Sequence, residues 1–218
     1  MISQKTYQTL SVDINDKVAH IILNRPDALN SMNVDFWHEF PSVIHEINNQ
    51  SAARAIVISS TGKHFSAGMD LAVFSASNSD ETKLGMTADV GTLQRLPKLI
   101  SIGLVKELAY TGRRMPAAEA KAAGLVNHVY EDQASMLTAV LGIAADIAAR
   151  SPLAVTGCKE MINYARDHSV ADSLHYMSVW QSGMFQPQND MMEIFKAKTQ
   201  NRAPEFEELT QIDPLKIF

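Results

Sequence analysis

Apolar residues fall in short, dense runs over the N-terminal part of the chain, and those runs predict three strands and one long helix. Tyr7 to Ile14 and Lys17 to Asn24 read as two strands, with Asn15-Asp16 as the tight turn between them. Val18-Ala19-His20-Ile21-Ile22-Leu23 is almost wholly apolar, the pattern of a strand covered on both faces. His20 within that run is expected to be packed or at an edge rather than a ligand. Asn24 to Met32, with its Pro, Asp and Asn residues, reads as a loop. A helix capped at Ser31 or Asn33 follows, with Phe36, Phe40, Val43, Ile44 and Ile47 as its apolar stripe. A third strand, Arg54 to Ser59, runs towards His64-Phe65-Ser66-Ala67-Gly68-Met69-Asp70-Leu71. A strand that ends in a small, glycine-containing turn and re-enters as a helix, here from Leu71 to Phe74, leaves backbone N–H groups unpaired. Such groups bind an anion or a polarised carbonyl oxygen.

Polar and small residues then interrupt the pattern. Ser75 to Lys83 reads as a mobile loop, and Ala88 to Pro97 opens a helical segment with Asp89 placed as its cap. Leu104 to Thr111 is a short helix. Pro116 to Gly124 carries proline at a first helical position and glycine just past a last one. Leu125 to Tyr130 reads as a strand. From Asp132 onward the pattern is helical, in segments over 134–150, 152–166, 170–184 and 188–201. The expectation is therefore an α/β core over 1–131, interrupted near 75–87, and an all-helical region over 132–218. Tyr176, Met177, Trp180, Met184 and Phe185 recur at helical spacing, as core or subunit-interface residues do.

Composition narrows the function classes. Apolar residues make up 46 % and charged residues 20 % of 218, ordinary values for a globular protein with a sizeable core. A net charge of −5 gives no reason to expect nucleic acid as a partner. The single cysteine, Cys158, excludes an internal disulfide framework, fits a reducing compartment, and is expected to be buried and structural. The N-terminus lacks a signal-peptide pattern, and Leu137 to Ala149 is too short to span a membrane and is interrupted by Asp146. No peroxisomal-type signal ends the sequence, so a cytoplasmic protein with no membrane partner is expected. No metal-ligand cluster, P-loop or dinucleotide fingerprint occurs. His64, Ser66 and Asp70 lie too close in sequence to form a nucleophilic triad, whose members come from separate elements. Arg113-Arg114 is expected to be a solvated surface pair.

Four blocks, in order, resemble the enoyl-CoA hydratase/isomerase (crotonase) family. They are Asn24-Arg25-Pro26-Asp27-Ala28-Leu29-Asn30; the His64–Leu71 turn; Tyr110-Thr111-Gly112-Arg113-Arg114-Met115-Pro116-Ala117-Ala118-Glu119-Ala120 with Gly124-Leu125-Val126-Asn127; and the helical tail. The string Ala88 to Lys98 is most similar to the dienoyl-CoA isomerase branch. The resemblance implies a spiral of stacked ββα units with C-terminal helices that assemble trimers, often hexamers. It also implies an acyl-CoA thioester substrate, with coenzyme A carried by the substrate and no separate cofactor or metal. By position, Met69 N–H matches one donor of the family's oxyanion hole, and Ser66, Ala67, Gly68, Met69 and Asp70 line that pocket. Ala28 and its neighbours match the loop beneath coenzyme A, with Arg25 in reach of a phosphate. Asp89 matches one of the acidic residues that dienoyl isomerases place along the acyl chain.

The chemistry explains why these groups are needed. Taking a proton from an acyl thioester makes an enolate, whose oxygen requires preorganised donors. A carboxylate whose pKa burial lifts towards neutrality then shuttles the proton. One departure from the family is large. Between the Met69 turn and Asp89 the family has two further strand–helix units, ~60 residues by the usual unit size. The second oxyanion donor and two of the three acidic positions fall in that interval. Either the chain is this short, and an impaired enzyme or a non-catalytic acyl-CoA-binding or assembly subunit is expected, or a segment is absent from the sequence. A sheet without those interior strands would expose a pairing edge and core surface.

Overall fold

A computed structural model of the chain describes residues 5–70, 72–75, 87–88, 91–184 and 187–209. Strands β1 (Leu10–Asn15) and β2 (Val18–Leu23) pair antiparallel, with Asn15 opposite Val18. The turn between them is thus Asp16-Lys17, one residue later than the spacing predicts. Both residues take positive φ, 46° and 65°, the pair of conformations whose twist suits a two-residue hairpin. Helix α1 (Val34–Asn49) follows, and the side chain of Asn33, rather than Ser31, accepts the Phe36 N–H at 3.0 Å as its cap. The chain then enters β3 (Ala55–Ser60), which runs parallel to β2. A parallel neighbour requires such a crossover connection. The sheet order β1-β2-β3 puts β2 in the centre, which explains its nearly unbroken apolar sequence.

Shorter helices come next: α2 (Ala72–Ser75), α3 (Thr92–Arg95), α4 (Ile102–Thr111) and α5 (Ala117–Ala122). The cap position of α3 is Gly91, with φ 83°. Asp89 itself, like residues 76–86, lies outside the described residues. Leu125 to Tyr130 is not a strand. The N–H groups of Leu125 and Val126 instead return to the Ala120 carbonyl at the end of α5, and no described strand lies alongside to form a ladder. The tail forms α6 (Gln133–Ala148), α7 (Pro152–Ala165), α8 (Val170–Met184) and α9 (Met192–Thr199). A π-helical turn at Pro187–Met191 divides the last predicted segment.

The chain divides into two compact units, residues 1–76 with 140–218, and residues 77–139. This differs from the expected boundary at 131 for a physical reason. One face of the sheet, through Leu10, Ala19, Ile21 and Leu23, packs on Phe36, Val43 and Ile47 of α1. The other, through Val18 and Val57, packs on Ala144 and Ala148 of α6. The tail thus completes the first unit's core instead of forming a separate body. In the second unit Arg113 binds Glu107 of α4 and Glu119 of α5, each at 2.6 Å, so it joins two helices and is not a free surface cation.

One further expectation changes and one holds. Cys158 is exposed; it lines an apolar cavity of about 510 Å³ among α7, α8 and the π turn, with Met161, Met177, Trp180 and Met184. Burial pushes the His20 imidazole below its ordinary pKa, and its Nε2 lies 2.7 Å from Ser59 Oγ, so it is packed as expected.

Candidate functional site

The loop after β2 and the loop after β3 leave the same end of the sheet, because the two strands are parallel and adjacent. Each is shaped by its own sequence. Pro26 starts a 3₁₀ turn over Pro26–Ala28, and Leu29 and Asn30 turn the chain back with φ near 52° and 51°. Gly62 approaches Pro26 so closely that an added Cβ would lie 2.8 Å from the proline Cβ. Gly68 has φ 88° in open space; there the backbone conformation, not crowding, calls for glycine.

Asn30 ties the loops together. It is 4 % exposed, accepts the Arg25 N–H at 2.8 Å on Oδ1, and donates from Nδ2 to the carbonyls of Thr61 and His64 at 2.7 and 3.0 Å. Sequence reasoning passes over it, since a buried polar residue leaves no mark in an apolar pattern. The available signal is an asparagine within a turn-rich loop, a residue type that tolerates the left-handed conformation Asn30 adopts here. Ser66 Oγ donates to the Asn30 carbonyl at 2.8 Å and accepts the Gly68 N–H at 3.0 Å, so the hydroxyl holds the turn. With that hydroxyl committed, and Asp70 bound elsewhere, His64, Ser66 and Asp70 form no triad.

The two loops meet at a parallel bridge between Met32 and Met69. Met32 N–H donates to the Gly68 carbonyl at 2.8 Å, and Asp70 N–H donates to the Met32 carbonyl at 3.0 Å. In a parallel bridge the N–H and C=O of Met69 itself point away from Met32. Met69 N–H donates to no other described residue, and the residue is 36 % exposed. By contrast Ala67 N–H is taken by the Leu29 carbonyl at 2.9 Å, and Ala28 N–H by the Arg25 carbonyl at 3.1 Å. From Ala67 to Asp70, the N–H matched to the oxyanion donor is the one that has no acceptor among the described residues.

Arg25 and Asp70 meet beside this bridge. Arg25 Nη1 donates to Asp70 Oδ2 at 3.0 Å and to the Ser31 carbonyl at 2.7 Å. Asp70 also accepts Ser31 Oγ at 2.9 Å and Ala72 N–H at 3.1 Å. Those bonds, the one from Ala72 first and then those from Ser31 and Arg25, hold the Asp70 carboxyl below the usual carboxylate range. The structure therefore brings the loop that carries Arg25 and Ala28 against the turn that carries Ser66, Ala67, Gly68, Met69 and Asp70, and Asp89 lies outside the described residues. Chemically, the site presents a fixed neutral donor backed by an ion pair.

The enoyl-CoA hydratase/isomerase family profile matches residues 13–81 and 72–208. The two matches overlap at 72–81. A human protein, mitochondrial Delta(3,5)-Delta(2,4)-dienoyl-CoA isomerase, is 34 % identical over 266 aligned positions, covering 90 % of this chain and 81 % of its own. Ninety per cent of 218 residues is about 196, so about 70 of those 266 positions are missing from this chain. The peroxisomal enzyme of the same name from Arabidopsis thaliana is 29 % identical, covering 96 % of this chain and 99 % of its own. Among solved structures, an enoyl-CoA hydratase from Bacillus anthracis aligns with a TM-score of 0.84 at 25 % identity, over 93 % of this chain and 100 % of its own. Crotonase-like fold, motif order and family profile agree: this chain belongs to the enoyl-CoA hydratase/isomerase family, is similar to its dienoyl-CoA isomerases, and lacks an internal segment that these relatives carry.

Proposed function

We propose that the chain is an acyl-CoA isomerase/hydratase that works through an oxyanion-stabilised thioester enolate, with double-bond migration in a dienoyl-CoA as the favoured reaction. The observation that carries this reading is the open Met69 N–H at the Met32 bridge. A backbone donor held in this way neither titrates nor reorganises as charge develops on the thioester oxygen. Asp89 is the candidate acid/base, coenzyme A arrives as part of the substrate, and the working form is a homotrimer or homohexamer assembled through the helical tail.

A specific observation also favours a second reading. The missing segment is where the family carries its second oxyanion donor, and loss of one donor costs about 10²–10³ in rate. A non-catalytic acyl-CoA-binding or assembly subunit is the limit of that loss. The test is to mix the full chain with a dienoyl-CoA and follow the conjugated-diene absorbance. A slow but measurable change supports the isomerase, and its loss in Asp89→Asn supports the acid/base role. Turnover of a simple 2-enoyl-CoA alone assigns the chain to the hydratases. Calorimetric binding of coenzyme A with no turnover of any thioester assigns it to the binding subunits. Light scattering during size exclusion should give three or six times the chain mass of 24.0 kDa.

A further inference from the structure

The geometry points to Arg25 as a positioning residue that polarises the Met69 N–H through two peptide groups, and not as a ligand of the substrate's phosphates. This rests on the reading of Met69 N–H as the donor to the thioester oxygen. The bonds run head to tail. Arg25 Nη1 donates to the Ser31 carbonyl at 2.7 Å. The N–H of that same peptide unit belongs to Met32 and donates to the Gly68 carbonyl at 2.8 Å. The N–H of the next peptide unit is that of Met69, which stays open among the described residues.

Because a trans peptide is planar, its C=O and N–H point in opposite directions, so anchoring the Gly68 carbonyl on Met32 aims the Met69 N–H away from it. Two peptide dipoles are thereby aligned, with a guanidinium at their negative end and a free N–H at their positive end. A hydrogen-bonded chain of this kind polarises each member in turn. The order of charges, a cation behind the carbonyl end and an anion in front of the N–H end, is the one a helix dipole favours.

Asp70 keeps the relay in place. Its carboxylate holds the same Nη1 at 3.0 Å, and its own N–H holds the Met32 carbonyl at 3.0 Å. The Arg25–Asp70 pair thus ties Ser31-Met32 to Met69-Asp70 on either side of the bridge. Both side chains are largely withdrawn from solvent, 25 % and 18 % exposed, which limits screening of the guanidinium. A guanidinium engaged in this way has Nη1 committed inside the protein.

Arg25→Gln keeps a donor and removes the charge; Arg25→Lys keeps both a charge and a nitrogen able to make the two bonds that Nη1 makes alone. Each is assayed with a dienoyl-CoA and with the matching dienoyl-pantetheine, which lacks the nucleotide phosphates. The relay predicts a loss of kcat of about tenfold for Arg25→Gln, part of the 10²–10³ that a whole donor is worth. The loss should be equal on both substrates, with little change in KM, and Arg25→Lys should recover most of it. A loss confined to the CoA substrate, or to KM, would identify Arg25 as a phosphate contact and overturn the proposal. A second readout is the Met69 amide proton resonance of the protein without substrate. It should move upfield in Arg25→Gln and much less in Arg25→Lys; an unmoved resonance overturns the relay. That resonance is read whether or not the chain turns over, so an inactive wild-type protein would refute the isomerase reading and leave the relay to be decided by the spectrum.

Discussion

A free N–H is a property of the neighbours of a residue rather than of the residue itself. Met69 owes its open donor to Met32, which takes up the Gly68 carbonyl and the Asp70 N–H on the opposite side. The conformation of Gly68 is the hinge of that arrangement. With φ at 88° and nothing within 4 Å of an added Cβ, Gly68→Ala meets no steric obstacle but does meet backbone strain, about 1–2 kcal/mol for the left-handed region. We expect urea denaturation to register a loss of about that size. Isomerase turnover should fall further than stability alone explains, because relief of the strain rotates the 68–69 peptide. Wild-type turnover in Gly68→Ala would mean that the direction of this peptide does not matter to the reaction. The motif His64–Leu71 was recognisable by residue type, but the N–H to be left open emerged only from the bridge to a loop more than thirty residues earlier.

At the scale of elements, strands and helices were legible wherever apolar periodicity met a cap or turn. The stripe of α1 and the four tail helices fell within a few residues of their predicted limits. Leu125 to Tyr130 misled because β-prone residues make a strand only when a neighbour offers a ladder. Strand β3 marks where the described sheet stops. Among the described residues it has a partner on one side only. Ile56 and Ile58, on the face that α1 covers further along the sheet, remain 39 % and 43 % exposed. An apolar edge of this kind recruits other chains, and a lysine blunts it. Ile58→Lys should therefore stay soluble to higher concentration than the parent chain, measured by light scattering during concentration. Equal scattering from both would show that this edge is covered in solution.

For the whole molecule, the C-terminal segment is held by charge. Arg202 pairs with Glu193 at 2.6 Å, and Glu193 also accepts the Glu205 N–H at 2.9 Å. Arg54 binds the Phe206 carbonyl at 2.9 Å and Glu208 at 3.0 Å, with Lys17 also at 3.0 Å from Glu208. The Arg202 hydrogen bonds, followed by that from Glu205, bring the Glu193 carboxyl down from 4.5 to about 2. A carboxyl depressed on folding binds fewer protons in the folded state, so its stabilisation is complete above its unfolded pKa and declines as pH falls. We expect the hold on residues 202–208 to be full above pH 4.5 and to be lost progressively towards pH 2. Hydrogen exchange of that segment against pH would follow the loss. Glu193→Gln should flatten the profile and leave the segment loose at neutral pH, and a pH profile unchanged by the substitution would remove Glu193 from the account.

Local information sufficed for much of this protein. Periodicity, capping and turn residues are properties of neighbouring positions, and they marked the hairpin, α1, β3, the tail helices and the glycine turn at Gly68. Ordered motifs were enough to place the chain in its family and to reveal the missing middle. Long-range relations were beyond local pattern, because each depends on two segments that meet only when the chain folds. Parallel pairing of β2 with β3 brought the Arg25 and Met69 loops to one end of the sheet. The Met32 bridge then left one N–H open, and burial turned Asn30 and the Arg25–Asp70 pair from loop residues into the supports of the site.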